Sequence, residues 1–193
     1  MILGITGGTG SGKTTLLNIL ESRGFLILDC DAIYHRLLAT DQKLTENIEA
    51  HFPGTVCDGQ LDRKKLGAVV FADADKLSLL NEITHSAVKA EILRLLTPEP
   101  PLAAIDAIGL FESGLSELCQ MTIAVTAPEE MRLQRLMARD GISEEYARSR
   151  ILAQRPQEEF SALCDVTLEN SGSEEAFREK CLAFLTSRGI INA

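Results

Sequence analysis

The sequence lacks paired cysteines. Its five, Cys30, Cys57, Cys119, Cys164 and Cys181, are odd in number, and no two stand in a C-x-x-C spacing. A disulfide framework or a structural zinc site is therefore not expected, and the thiols read as reduced and buried. The chain also lacks any apolar run long enough to span a bilayer. No basic segment accompanies the opening Met1-Ile2-Leu3-Gly4 as in a secretory signal, so a cytoplasmic location is the expectation. Positive charge is scarce: 19 Lys and Arg against 28 Asp and Glu leave a formal charge of −9. A surface of that sign repels polyphosphate backbones and argues against nucleic-acid binding, yet leaves room for a small basic pocket around one nucleotide. Internal repeats and low-complexity tracts are absent too. What remains is 193 residues, 45% hydrophobic and 24% charged. That is ordinary for one globular domain with inserted sub-domains, large enough to bury a core without staples. A monomer or weak homo-oligomer is expected.

Short apolar runs alternate with helical stretches. Ile2–Thr6, Phe25–Leu28, Leu102–Ile108, Met121–Thr126 and Asp165–Glu169 read as strands, and the helices between them imply a parallel sheet covered on both faces. Helices are expected over Thr14–Ser22, with Gly24 at the stop; from Thr126-Ala127-Pro128-Glu129 by a capping box, ending at Asp140-Gly141; from Ser143; and from Ser173 to about Ser187. The long stretch from Ile33 to Thr97 reads as helical, with breaks at Phe52-Pro53-Gly54 and Asp58-Gly59, and Pro98–Pro101 closes it. Ligands of such sheets bind beyond the carboxyl ends of the strands, where Gly7, Asp31 and Asp106 all fall.

Gly7-Gly8-Thr9-Gly10-Ser11-Gly12-Lys13-Thr14 matches G-x-x-x-x-G-K-[ST] in full, directly after an apolar strand and at the start of a helix. Its glycines let backbone N–H groups converge on phosphate oxygens, and the helix adds its positive dipole end. Lys13 supplies a point charge for the β- and γ-phosphates, and the Thr14 hydroxyl a ligand for Mg²⁺. A glycine-rich turn that merely joins strand to helix is the plain alternative. Together the residues point to a P-loop phosphotransferase that uses Mg·ATP.

Such an enzyme needs a carboxylate that orients the acceptor hydroxyl and takes its proton. Asp29 and Asp31, just past the second strand, are candidates; capping of the next helix is the equally weighted alternative. Asp31 and His35 stand four apart and share a helix face. Asp106 reads as a Walker-B-like carboxylate holding a Mg²⁺-bound water, with a strand-end residue satisfied by backbone as the alternative. Arg132, Arg135 and Arg139 recur on one helical face, and Arg148 and Arg150 follow beyond Gly141. This pattern fits a lid whose arginine neutralises the transferring phosphoryl group. For any single arginine, a solvated face paired with Glu129, Glu130, Glu144 and Glu145 is the simpler reading.

An ordered set of motifs resembles the dephospho-CoA kinase family over nearly the whole chain. The P-loop is followed by Asp29-Cys30-Asp31 with Tyr34-His35, and by Gly59-Gln60-Leu61-Asp62-Arg63. Leu80-Asn81-Glu82-Ile83-Thr84-His85, Ile105-Asp106 and Leu110-Phe111-Glu112 come next. Arg135, Arg139, Ala153-Gln154 and Asn170-Ser171-Gly172 complete the order. Departures are Pro53, Ser86 where the family usually has Pro, Ile108-Gly109 and Cys164. The resemblance implies an α/β fold: a three-layer P-loop kinase with a five-stranded parallel sheet (core 1–32, 98–127 and 156–193), a helical substrate-binding insert at 33–97 and a helical lid at 128–155. It implies transfer of the ATP γ-phosphate to the ribose 3′-hydroxyl of dephospho-CoA, another small-molecule P-loop kinase, such as a nucleoside monophosphate kinase, being the alternative. Lys13, Asp31 and Arg139 are then catalytic. Gly8, Thr9, Gly10, Ser11, Gly12, Lys13, Thr14, Thr15, Arg135, Asn170 and Gly172 bind ATP. Asp31, His35, Arg63, Asn81 and His85 bind the acceptor, and Thr14 and Asp106 serve Mg²⁺.

Overall fold

The computed structural model describes residues 1–57, 59–97 and 102–192; Asp58 and Pro98–Pro101, read above as a break and a closing segment, lie outside them. In chain order the elements are β1 (Ile2–Thr6), α1 (Lys13–Ser22), β2 (Leu26–Asp29), α2 (Cys30–Thr40), α3 (Gln42–His51), β3 (Val56–Cys57), β4 (Gln60–Leu61), α4 (Arg63–Val70), α5 (Ala74–Leu95) and β5 (Ala103–Asp106). A 3-10 turn at Leu115–Leu118 leads to β6 (Met121–Thr126), α6 (Glu129–Asp140), α7 (Glu144–Leu152), α8 (Gln157–Leu163), β7 (Val166–Glu169) and α9 (Glu174–Ser187). They form two compact units: Met1–Leu28 with Pro100–Ala193, and Asp29–Glu99.

The first unit is built on a five-stranded sheet of order β2-β5-β1-β6-β7. β1 pairs in parallel with β5 and β6, and β6 with β7. All five residues of β1 are buried, because helices and loops cover both sheet faces. Leu3 and Ile5 join Leu16 and Leu20 of α1 and Phe177 and Leu185 of α9 in one apolar cluster. Truncating one such leucine to Ala costs about 2–5 kcal/mol. Gly4 points to the other face, where a Cβ would lie 2.8 Å from Leu110 and 2.9 Å from the Cys119 sulfur. The stretch before β6 thus packs directly onto the central strand.

Two local expectations change. The capping box at Thr126 does not form: Thr126 is the last residue of β6, held opposite Glu169, and α6 starts behind Pro128 with no side-chain cap. The Ala127 N–H is met by Gln157 Oε1 at 2.8 Å instead. The thiols are free but not uniformly buried: Cys30 and Cys181 are buried, Cys119 and Cys164 half-buried, and Cys57 exposed. Burial pushes the Cys119 thiol up to about 12 and Cys164 to about 11.

The second unit is helical around the long α5, which packs against α2, α3 and α4. Four aspartates start its helices. Asp29, Asp41, Asp62 and Asp73 each accept a first-turn N–H of α2, α3, α4 and α5, at roughly 1 kcal/mol apiece. An antiparallel hairpin of β3 and β4 follows the break read at Phe52-Pro53-Gly54, missed because two-residue strands carry no periodicity. The Glu49 carboxylate holds its entry, accepting the N–H of Gly54 at 2.6 Å and of Val56 at 2.7 Å.

Candidate active site

In the first unit the loop from Gly7 to Gly12 leaves the carboxyl end of β1 and enters α1 at Lys13. A loop that turns its N–H groups inward onto an anion turns carbonyls outward, and those carbonyls need donors. Arg132 Nε donates to Thr9 O at 2.9 Å. Arg135 Nη1 reaches Gly10 O at 3.3 Å and Ser11 O at 3.4 Å. Asn170 Nδ2 donates to Ser11 O at 2.9 Å and its Oδ1 accepts from Arg135 Nη2 at 3.1 Å. The Thr9 N–H goes to Gln154 Oε1 at 2.7 Å. Lys13 Nζ donates to Gly7 O at 2.8 Å, tying the last turn of the loop to its first residue.

The glycines follow from this packing. Gly7 has φ 137°, and a Cβ there would fall 2.1 Å from Val125 O. Gly12 has φ 97°, and a Cβ there would meet Asn170 Nδ2 at 2.2 Å. The Arg132 guanidinium lies against Gly8, where a Cβ would be 2.4 Å from Nη2. Arg132 is only 4% exposed, and burial lowers its pKa and that of Arg135. The loop thus concentrates three cationic side chains within a chain of net negative charge.

Thr14, the second residue of α1, is exposed and Thr15 half-buried. Asp106 ends β5 directly opposite Ile5, one strand over from the chain entering the loop. These oxygens suit Mg²⁺, which takes one or two protein ligands and completes its shell with phosphates and water. No cluster of three or more His, Cys, Asp or Glu exists among the described residues to cage a metal by itself. The Ser11 hydroxyl is buried and has no hydrogen-bond partner among the described residues. With no room for a Cβ at Gly7 or Gly12, that spare hydroxyl fits a loop shaped for phosphate.

Of the residues expected at the nucleotide, Gly8 to Thr15, Arg135 and Asn170 come together. Gly172 stands one residue before the Ser173 cap of α9, where a Cβ would make only an ordinary contact of 3.5 Å with Ala176. Arg139 is not on the loop. It is exposed and bound in two places to the adjacent Asp140, at 2.7 and 3.0 Å, an ion pair that raises its pKa. Asp140 also takes Arg150 at 2.6 Å, and these partners, Arg139 foremost, hold its carboxyl at about 2. Arg148 pairs with Glu129, Glu130 and Glu144 as a solvated face. α6 and α7 share a small core of Leu133, Leu136, Ala147 and Ile151.

Sequence reasoning passed over Arg132 and Gln154 as site residues. Arg132 carried a signal, its i, i+3 spacing with Arg135; Gln154 carried only its place in the family order.

In the second unit Asp29 and Asp31 separate. Asp29 Oδ1 caps α2 through the Ala32 N–H at 2.9 Å. Asp31, in the first turn, and His35, one turn on, both expose their side chains. Arg63 is the exposed first residue of α4; burial raises the Tyr34 pKa, and the Arg63 charge offsets part of that rise. Asn81 and His85 stand one turn apart on α5, Asn81 exposed and His85 half-buried.

The family model for dephospho-CoA kinase matches residues 1–175. A dephospho-CoA kinase of Carboxydothermus hydrogenoformans is 41% identical over 191 residues, covering 95% of this chain and 92% of the relative. Among solved structures, TT1252 from Thermus thermophilus superposes with a TM-score of 0.80 at 37% identity, covering 97% of both chains. Dephospho-CoA kinase from Campylobacter jejuni follows at 0.66 and 27%, covering 98% of both. With a full P-loop, its bracing side chains and this match along most of its length, the chain belongs to the dephospho-CoA kinase family.

Proposed function

We propose that this chain transfers the γ-phosphoryl group of ATP to the ribose 3′-hydroxyl of dephospho-CoA, releasing CoA and ADP. The observation that carries the reading is the braced phosphate loop in a chain of this family. Loop N–H groups and Lys13 stabilise charge on the β- and γ-phosphates as the bond to the leaving oxygen breaks. Thr14 and, through a water, Asp106 would hold Mg²⁺, which would supply charge neutralisation on the phosphates. Asp31 orients the hydroxyl and accepts its proton late, as the new P–O bond forms. Capping by Asp29 leaves Asp31 as the uncommitted carboxylate after β2. Arg63, Asn81, His35 and His85 hold the acceptor, and α6 and α7 serve as a lid that carries Arg139.

Remote parts of the acceptor supply binding energy that fixes the 3′-hydroxyl for attack. No helix among the described residues is long and apolar enough to cross a membrane. An ADP-release assay with dephospho-CoA, and NMR of the product, test the reading. The expected result is phosphate on the 3′-oxygen and a large loss with AMP or adenosine. Phosphorylation of AMP on its 5′-phosphate at an equal rate would overturn it in favour of a nucleoside monophosphate kinase.

A further inference from the structure

The stretch Gln154-Arg155-Pro156-Gln157, which runs from the end of α7 into α8, reaches the segments that leave three different strands. Gln154 Oε1 accepts the Thr9 N–H, beyond β1, at 2.7 Å. Arg155 Nη2 pairs with Glu112, on the segment that leaves β5. Gln157 Oε1 accepts the Ala127 N–H, just past β6, at 2.8 Å. β5, β1 and β6 are neighbours in the sheet. Four consecutive residues therefore form a strap along the edge where the phosphate loop lies.

The strap and α6 grip one loop residue from two sides. The Thr9 N–H goes to Gln154, and the Thr9 carbonyl accepts from Arg132 Nε at 2.9 Å. A trans peptide is planar, so its C=O and N–H point in opposite directions. Arg132 draws the Thr9 carbonyl outward and so turns the Gly10 N–H inward, toward an anion. Gln154 fixes the peptide before it. On that peptide the Gly8 carbonyl accepts the Ser11 N–H at 3.2 Å, a bond that closes the turn of the loop. Gly8 has no Cβ to resist a flip. Only the acceptor at the Thr9 N–H holds that end of the peptide, and Arg132, having donors alone, has no means of replacing it.

We propose that Gln154 is a positioning residue for the phosphates of ATP, acting through Thr9 to keep the Gly8–Thr9 peptide in the orientation that shapes the loop for an anion. The proposal rests on the reading of ATP as the nucleotide held by the loop. Nothing in the phosphate-loop motif calls for a partner 145 residues away.

Gln154→Met and Gln154→Leu keep most of the bulk and lose the acceptor oxygen. Each should raise the KM for ATP, and the calorimetric Kd for Mg·ATP, about tenfold. The KM for dephospho-CoA should stay at the wild-type value, and kcat should fall less than the ATP KM rises. Gln154→Glu restores an acceptor oxygen. Its added charge meets Arg132 Nη2, which is buried without a hydrogen-bond partner among the described residues and lies with Gln154 Oε1 against Gly8. That variant should recover most of the ATP affinity. Gln157→Met breaks a bond of similar length at the far end of the strap and leaves Arg155 in place. It should lower the urea midpoint yet keep the wild-type KM for ATP. Two variants that lack the acceptor guard against one failing to fold, checked by circular dichroism. Wild-type Mg·ATP affinity in a folded Met or Leu variant overturns the positioning role. So does a loss in Gln154→Glu or Gln157→Met as large as in Gln154→Met. Wild-type protein that binds no Mg·ATP sinks the nucleotide reading itself.

Discussion

The phosphate loop and the helical unit handle polar groups in opposite ways. Around the loop, polar side chains are buried and committed: Arg132 and Asn170 are each 4% exposed, and both hold outward carbonyls from more than 120 residues away in sequence. In the helical unit, Asp31, His35, Arg63 and Asn81 expose their side chains, and the aspartates that are committed hold helix ends. Phosphate is the same in every ATP, so a fixed backbone cradle built on glycine serves it. In the proposed reading, an acceptor with base, sugar, diphosphate and arm would be gripped by side chains spread over several helices. The difference teaches where substitutions should act: on turnover and stability at the loop, on acceptor use in the helices.

The largest effect is expected at Lys13. Lys13→Ala should reduce kcat about a thousandfold while circular dichroism stays native. Near-normal turnover at saturating Mg·ATP in a folded variant would remove the lysine from the charge stabilisation assigned to it.

Next comes the pair that the structure divides. Asp31→Asn should lower kcat about a hundredfold or more with little change in the KM for ATP. Asp29→Asn should do much less, because asparagine caps a helix nearly as well as aspartate. If steady-state kinetics show Asp29 to be the more damaging site, the base is the wrong carboxylate and the second unit carries no catalytic group at this position.

The two outer arginines sharpen the comparison. Arg132→Ala leaves Thr9 O without its buried partner and should cost about 1.5–3 kcal/mol in urea unfolding, with a raised KM for ATP. Arg139→Ala removes an exposed ion pair and should cost less than about 1 kcal/mol, with its loss in kcat and larger there than for Arg132→Ala. Mild, equal kinetic effects at both would return Arg139 to the solvated face.

The smallest effect is on the helical unit alone. Arg94 first, and then Arg36, hold the Glu91 carboxyl at about 2. A folded-state pKa below the unfolded value means stabilisation that is present above about 4.5 and lost as pH falls through about 2. Both arginines are exposed, so Glu91→Gln should cost only about 0.5 kcal/mol at pH 7, and the gap from wild type should close in acid. A gap that persists unchanged at pH 2 in thermal melts would point to lost packing instead.

Much of the core was legible because its signals are local. Five short runs mark the strands, the inner three buried almost throughout and the outer two, β2 and β7, partly exposed, and β6 appears over the very residues read, Met121–Thr126. Gly141, at φ 64°, ends α6 and Ser143 starts α7 as their chemistry requires. The β3–β4 hairpin escaped because two residues per strand leave no pattern to read. The Thr126 capping box misled because a strand-pairing register overrode a local preference.

By itself the sequence determined the phosphate loop, the order of the five sheet strands along the chain, and the family, since each depends on residue types at fixed short spacings. Tertiary structure alone decided which distant side chains meet the loop's outward carbonyls, which of Asp29 and Asp31 is spent on a helix end, and that the stretch following α7 ties together the segments leaving three strands. Those outcomes depend on how each helix is rotated and packed against partners far away in the chain, and no short spacing encodes that.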